Sequence, residues 1–247
     1  MNVYQSIFAG FKEKRKQLAI LVDPDKTSPD NAKKIARECD KLKVDYLFVG
    51  SSLLMNGDLE LCIEELRKNC SLPVVIFPGN NLQISPKADA ILFLSLISGR
   101  NPEMLIGNHV IAAPQIKSSG LEVIPTGYIL IDCGRITSVH YMSTTLPIPS
   151  DKNDIAICTA MAGEMLGLKT IYLDGGSGAD KPIPAKMISL IKEHINIPLI
   201  TGGGIRNTSQ AKESWEAGTD LLVVGNASEK DPEIIKQIID VRNDMNA

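Results

Sequence analysis

A chain of 247 residues is close to the roughly 250 typical of one eight-stranded β/α barrel. Its 44% hydrophobic and 22% charged content is ordinary for a globular domain, and a formal charge of −3 argues against a nucleic-acid partner. No apolar run is long enough to span a bilayer, and Met1-Asn2-Val3-Tyr4-Gln5-Ser6 lacks the regions of a signal peptide. Five scattered cysteines (Cys39, Cys62, Cys70, Cys133, Cys158) without a C-x-x-C pair point to reduced thiols in a cytoplasmic protein. No Pro/Gly/Ser-rich linker interrupts the chain, so residues 1–247 read as a single domain.

Strand-length apolar runs alternate with helix-period segments. Residues 18–22 are the first strand. A helix follows over 30–42, with Ser28 as N-cap and Pro29 at its first position. Strand two (44–49), a helix (58–69) and strand three (73–77) come next. The stretch 78–88 holds two prolines, Gly79 and little apolar periodicity, too poor for a third barrel helix. Strand four (90–94), a helix (102–117) and strand five (122–131) lead into a long polar connection over 132–150, a length that tends to be functional. A helix over 154–166 carries small residues on its packing face. Strand six (169–173), a helix (184–194), strand seven (197–201) and a helix (207–217) follow. Strand eight (220–224) and a last helix (232–242), with Asp231 as N-cap, complete the pattern. Eight continuous apolar strands suit a parallel sheet buried on both faces. A doubly wound sheet would carry its phosphate turn after the first strand, where this chain has no glycine.

The glycines gather late. Thr201-Gly202-Gly203-Gly204-Ile205-Arg206 ends strand seven, and Val223-Val224-Gly225-Asn226-Ala227 ends strand eight. Glycine turns leave backbone N–H groups bare, and the helix that follows points its positive end at the same place. Two such turns are what a TIM barrel uses to hold a phosphate. Strand six ends in Tyr172-Leu173-Asp174-Gly175-Gly176-Ser177-Gly178, where a carboxylate beside a phosphate nest can orient a substrate hydroxyl or take its proton. Capping the glycine turn is the other reading of Asp174.

After strand one come Asp23-Pro24-Asp25-Lys26. Two carboxylates suit Mg2+, which accepts one or two of them plus phosphate and water, and Lys26 offers a point charge for a diphosphate. The same residues also make a good plain turn. Gly50-Ser51-Ser52 after strand two offers hydroxyls, or a helix cap. Tyr128 is a candidate to line the site or to pack in the core. His109, His140 and His194 read as surface or cap residues, and no Ser-His or Cys-His motif suggests a nucleophile.

Taken in this order, these four motifs resemble the geranylgeranylglyceryl phosphate synthase family, which includes the PcrB-type enzymes. The stretches Ser98-Gly99-Arg100-Asn101-Pro102, Thr126-Gly127-Tyr128 and Pro147-Ile148-Pro149 look like its longer-chain branch. The resemblance implies a modified TIM barrel in which a loose extended segment replaces the third helix. It implies transfer of a geranylgeranyl or other polyprenyl group from its diphosphate to the 3-hydroxyl of sn-glycerol 1-phosphate, with Mg2+. By the same resemblance Asp23 and Ser52 are the metal positions, and Tyr172, Leu173, Asp174, Gly175, Gly176, Ser177, Gly178, Gly203, Gly204, Gly225 and Asn226 hold the glycerol phosphate. Asp174 and Lys26 are the catalytic candidates. Family members commonly carry glutamate where this chain has the shorter Asp174, which weakens its assignment as base. A homo-oligomer also follows from the resemblance, and transient contact with a membrane surface is expected for product release. Two rival classes share the phosphate turns: a phosphosugar isomerase or synthase, which has no prenyl tail to bind, and a non-catalytic phosphate-binding protein, against which the Asp23/Asp25 pair argues, since carboxylates near a phosphate are unfavourable without a metal.

Overall fold

The computed structural model describes residues 2–225 and 233–247. Eight strands, β1 (Gln17–Val22), β2 (Tyr46–Val49), β3 (Val74–Ile76), β4 (Ala90–Leu96), β5 (Glu122–Leu130), β6 (Thr170–Asp174), β7 (Leu199–Gly202) and β8 (Leu221–Val224), pair in sequence order. All pairings are parallel, and β8 closes onto β1 with Leu221 opposite Gln17. Continuous apolar runs form these strands because both faces are covered. On β6 the two-residue period sends Tyr172 to the barrel interior, with Phe48 and Tyr128, and sends Ile171 and Leu173 outward against the helices.

The outer layer contains α2 (Pro29–Lys41), α3 (Leu59–Asn69), α4 (Asn108–Ser119), α6 (Asn153–Met165), α7 (Ala185–Lys192), α8 (Thr208–Glu216) and α9 (Glu233–Asn246). Ser28 caps α2 by accepting from Asn31 N at 3.3 Å, and Asn207 caps α8 by accepting from Gln210 N at 3.0 Å. Trp215 on α8 is fully buried and donates to the Gln17 carbonyl at 3.3 Å, so it is core. The expected start of the last helix, Asp231 and Pro232, lies outside the described residues.

Between β3 and β4 no helix forms, as the two prolines and Gly79 predict. Gln83 fastens this open segment instead. Its Oε1 accepts from Gly79 N at 3.1 Å and its Nε2 donates to the Ser51 carbonyl at 2.7 Å. A Cβ on Gly79 would stand 2.0 Å from that same carbonyl, so the close approach requires glycine.

Four features add to or adjust the expected elements. Residues 3–12 form a helix, α1 (Val3–Lys12), across the N-terminal end of the barrel. Its first N–H groups donate to Glu122, from Val3 at 2.6 Å and Tyr4 at 2.9 Å, a partner 119 and 118 residues away. Val44 belongs to the turn before β2: Lys43 has φ 58°, and Val44 N bonds the Cys39 carbonyl at 3.0 Å. The helix expected over 102–117 begins as a π-helical turn (Glu103–Gly107) and carries Pro114 within α4. The long connection 132–150 contains a short helix, α5 (Ser138–Ser143), with His140 in its capping box.

Candidate active site

The C-terminal ends of the strands open into a cavity of about 820 Å³. This is the end of a β/α barrel where loops vary and chemistry is placed. One part of the wall is made of turns and charges. The other is made of apolar side chains.

The turns after β6 and β7 meet. Gly176, Gly178, Gly203 and Gly204 have φ of 85°, 79°, 87° and 76°, a region in which a side chain is strained. A Cβ on Gly203 would lie 3.0 Å from both backbone N and O of Gly176, so the two corners are in contact. Gly176, Ser177, Gly178, Gly203, Gly204 and Gly225 all line the cavity. Among the described residues, the N–H groups of Gly178, Gly203 and Gly204 have no backbone acceptor. Such clustered donors form an anion nest. The structure does not bring Leu173 or Gly175 to the cavity. Leu173 faces the helices, and Gly175 N is taken by the Gly202 carbonyl at 3.0 Å. Asn226 lies outside the described residues.

Asp174 stands under this nest and is buried. Its Oδ1 accepts from Gly176 N at 2.7 Å, and its Oδ2 accepts from the Tyr128 hydroxyl. Burial raises its pKa above the usual carboxylate range, although both hydrogen bonds oppose the rise. Burial pushes the Tyr128 phenol well above its ordinary value, so Tyr128 remains a donor at neutral pH. Tyr128, Tyr172 and Phe77 pack as a ring cluster in the same wall: Phe77 stacks on Tyr172 at 5.1 Å, and Tyr128 meets Tyr172 edge-on at 5.6 Å.

Asp23, Lys26 and Ser52, from the turns after β1 and β2, line the same cavity. Asp23 Oδ2 pairs with Lys26 Nζ at 2.9 Å, and Asp23 Oδ1 accepts from Asp25 N at 3.1 Å. The two carboxylates of the Asp-Pro-Asp turn do different jobs. Asp25 accepts from the backbone N–H groups of Met55, Asn56 and Gly57, at 2.8, 2.8 and 2.5 Å, and these bonds hold its pKa down. It fixes the loop after β2 through both carboxylate oxygens, while Asp23 keeps its pair with Lys26 at the cavity rim. No cluster of three His, Cys, Asp or Glu side chains exists among the described residues. A donor set of one carboxylate and one hydroxyl fits Mg2+, which takes its other oxygens from phosphate and water.

The apolar wall runs through the gap left by the missing helix. Ile84 from the open segment, Ile91 and Phe93 from β4, and Met104, Ala112 and Ile116 from the helical turns opposite form it. Sequence reasoning located the gap but named none of these residues, because three separate elements supply them. His109 is a second correction. It is buried in this wall rather than on the surface, edge-on to Phe93 at 4.5 Å, with Nε2 3.2 Å from Ser95 Oγ. Arg206 and Arg135 also line the cavity, and Arg206 Nη2 donates to the Ala179 carbonyl at 2.8 Å.

A closed parallel barrel with glycine turns around a cavity at its C-terminal rim defines a β/α barrel of the TIM type. This chain belongs to the PcrB family, whose model matches residues 11–242. It is 51% identical over 239 residues to the geranylgeranylglyceryl phosphate synthase of Chitinophaga pinensis, covering 97% of this chain and 95% of that one. The enzyme of the same name from Pyrococcus horikoshii is 42% identical over 219 residues, 88% of this chain and 85% of that one. The crystal structure of (S)-3-O-geranylgeranylglyceryl phosphate synthase from Thermoplasma acidophilum, in complex with its substrate sn-glycerol-1-phosphate, superposes with a TM-score of 0.93 at 30% identity. That match covers 99% of both chains.

Proposed function

We propose that this chain is a single-domain prenyltransferase of lipid biosynthesis. It joins the 3-hydroxyl of sn-glycerol 1-phosphate to C1 of geranylgeranyl diphosphate as an ether and releases diphosphate. The observation that carries the reading is the union, in one cavity, of glycine turns with bare N–H groups and an apolar wall. A phosphosugar isomerase has use for the first and none for the second. Burying each CH2 stabilises binding by about 0.8 kcal/mol, so a tail of many carbons binds without polar contacts.

In this reading the turns after β6, β7 and β8 grip the phosphate of the glycerol substrate. Its 3-hydroxyl then faces Asp174. The C1–O bond to diphosphate breaks, the glycerol oxygen bonds to C1, and the hydroxyl proton passes to the Asp174 carboxylate. The raised pKa of Asp174 makes it a better acceptor than an exposed aspartate. Tyr128 holds that carboxylate in place through its hydroxyl. The faces of Phe77 and Tyr172 are suited to the positive charge that develops on the allylic carbon. Asp23 and Ser52 would hold Mg2+, which supplies charge neutralisation for the departing diphosphate. Lys26 adds a cation at the same rim.

Five free cysteines fit a cytoplasmic setting, and no helix among the described residues is long and apolar enough to cross a membrane. We also assign the outer face of the turn and helix at 103–119 to a contact between copies of the chain. There Ile106, Val110 and Ile111 are 60, 66 and 63% exposed.

The test is product analysis. Purified protein with labelled sn-glycerol 1-phosphate, Mg2+ and a series of prenyl diphosphates is expected to yield the ether, with the geranylgeranyl substrate giving the highest kcat/KM. Phosphosugar isomerisation without ether formation would overturn the reading.

A further inference from the structure

The described residues include seven large apolar side chains that are more than 70% exposed: Met55, Leu82, Ile136, Tyr141, Leu146, Met165 and Leu166. Met165 and Leu166 are neighbours at the far end of α6. The other five all belong to loops that follow β2, β3 and β5, at the mouth of the cavity. Scattered exposed apolar residues are normal; a concentration at one functional opening is not.

These five form two lips. Met55 and Leu82 stand on loops that Gln83 ties together, through its bonds to Ser51 and Gly79. Ile136, Tyr141 and Leu146 stand on the α5 loop across the opening. Asn101 fastens that loop at Ser143, donating to its carbonyl at 2.9 Å. A Cβ on Gly99 would lie 2.7 Å from Thr145 Oγ1, so the same loop packs closely on the turn after β4. Both lips are therefore anchored, and their apolar tips are exposed while their bases are bonded. Residues adjoining the tips, Leu53, Asn81, Arg135 and Met142, line the cavity itself. Through Leu53 and Met142 the apolar lining of the cavity reaches both lips. Arg135, next to Ile136, adds a cation at the mouth.

We propose that this rim is a docking surface for a lipid bilayer, on which the protein sits with its trench facing the acyl layer. The inference rests on the prenyl-transfer reading of the cavity. A polyprenyl diphosphate and its ether product both partition into membranes, because each buried CH2 favours the apolar phase by about 0.8 kcal/mol. A mouth with apolar lips lets the tail pass from bilayer to trench without crossing water. Shallow insertion of a few apolar side chains, with a cation beside lipid phosphates, gives reversible attachment rather than anchoring. A second copy of the chain is the competing occupant. The exposed face of α4 lies on the barrel flank, separate from this rim.

The experiment is flotation of the full chain with vesicles of mixed phosphatidylcholine and phosphatidylglycerol, comparing wild type with Leu82→Asp/Leu146→Asp. Neither residue lines the cavity. The wild type is expected to float with the vesicles. The double variant is expected to lose at least about tenfold in vesicle affinity, the scale set by removing two inserted leucines. It is expected to keep its turnover on a short, water-soluble prenyl diphosphate, and to lose turnover on geranylgeranyl diphosphate embedded in vesicles. A wild type that ignores vesicles, or a double variant that floats equally well, overturns the proposal. So does a wild type whose self-association is abolished by the two substitutions while vesicles leave it unbound. Vesicle binding with no prenyl transfer to any acceptor would instead overturn the reading of the cavity on which this inference rests.

Discussion

The two ends of the barrel use buried polar groups in opposite ways. At the N-terminal end three carboxylates, Asp45, Asp220 and Glu122, close on the protein itself. Asp45 accepts from Arg15 at 2.9 Å, from Arg242 at 2.6 Å and from Leu18 N at 2.9 Å. Asp220 accepts from Leu199 N at 2.7 Å and pairs with Lys192, whose ammonium lies 4.3 Å from the Phe11 ring centre. Burial raises the pKa of Asp220, and Lys192 only partly offsets that rise. Glu122 holds the start of α1, and α1 seals the opening with Val3 and Ile7. At the C-terminal end the same kinds of groups line a cavity. Asp23, Lys26 and Asp174 all border open space, and backbone donors face it as well. At one end the charges bond only into the protein, and at the other Asp23, Lys26 and Asp174 bond to the protein and also border the cavity.

Substitutions at the two ends should therefore separate activity from stability. The largest effect is expected for Asp23→Asn, with kcat/KM for prenyl transfer falling about 1,000-fold, the several kcal/mol a metal site contributes. Circular dichroism should show the fold unchanged. A Mg2+ titration giving near wild-type turnover would remove Asp23 from the metal site. At the other end, Asp220→Ala should lower unfolding free energy by about 3 kcal/mol, the cost of stranding one partner of a buried pair. Urea denaturation measures it, and KM for both substrates should be unaltered. An unmoved midpoint would mean that the closed end does not stabilise the barrel in this way.

Asp174→Ala should reduce kcat about 100-fold, in the range for loss of a positioned base. The affinity for glycerol 1-phosphate should change much less, because the nest is built from other atoms. The sign of the pH dependence follows from the raised pKa. The carboxylate must be unprotonated to accept the proton, so wild-type kcat should fall as pH drops through a value above the ordinary aspartate pKa of about 4. An acid limb at or below that value would contradict burial of Asp174 in the working enzyme.

The sequence made the barrel legible because local signals agreed with the global fold. Apolar runs marked the strands, glycines marked the rim turns, and prolines marked the absent helix. What it concealed depends on distant partners. Nothing within α1 announces that its N-terminal donors meet Glu122. Asp25 reads as a second metal carboxylate until the loop at 55–57 is seen folding over it. His109 looks like a surface residue until Phe93 and Ser95 close around it. Leu173 was within reach: if Tyr172 and Asp174 face inward on a strand, the residue between them faces out.

The proposed phosphate grip and the proposed tail trench differ in what they are made of. Main-chain amides would form the grip, so replacing most side chains nearby would not rewrite it. The trench is walled by Ile84, Ile91, Phe93, Met104, Ala112 and Ile116, each of which one codon change can enlarge or shrink. Such a scaffold can drift in the hydrocarbon it accepts while its choice of polar acceptor stays fixed.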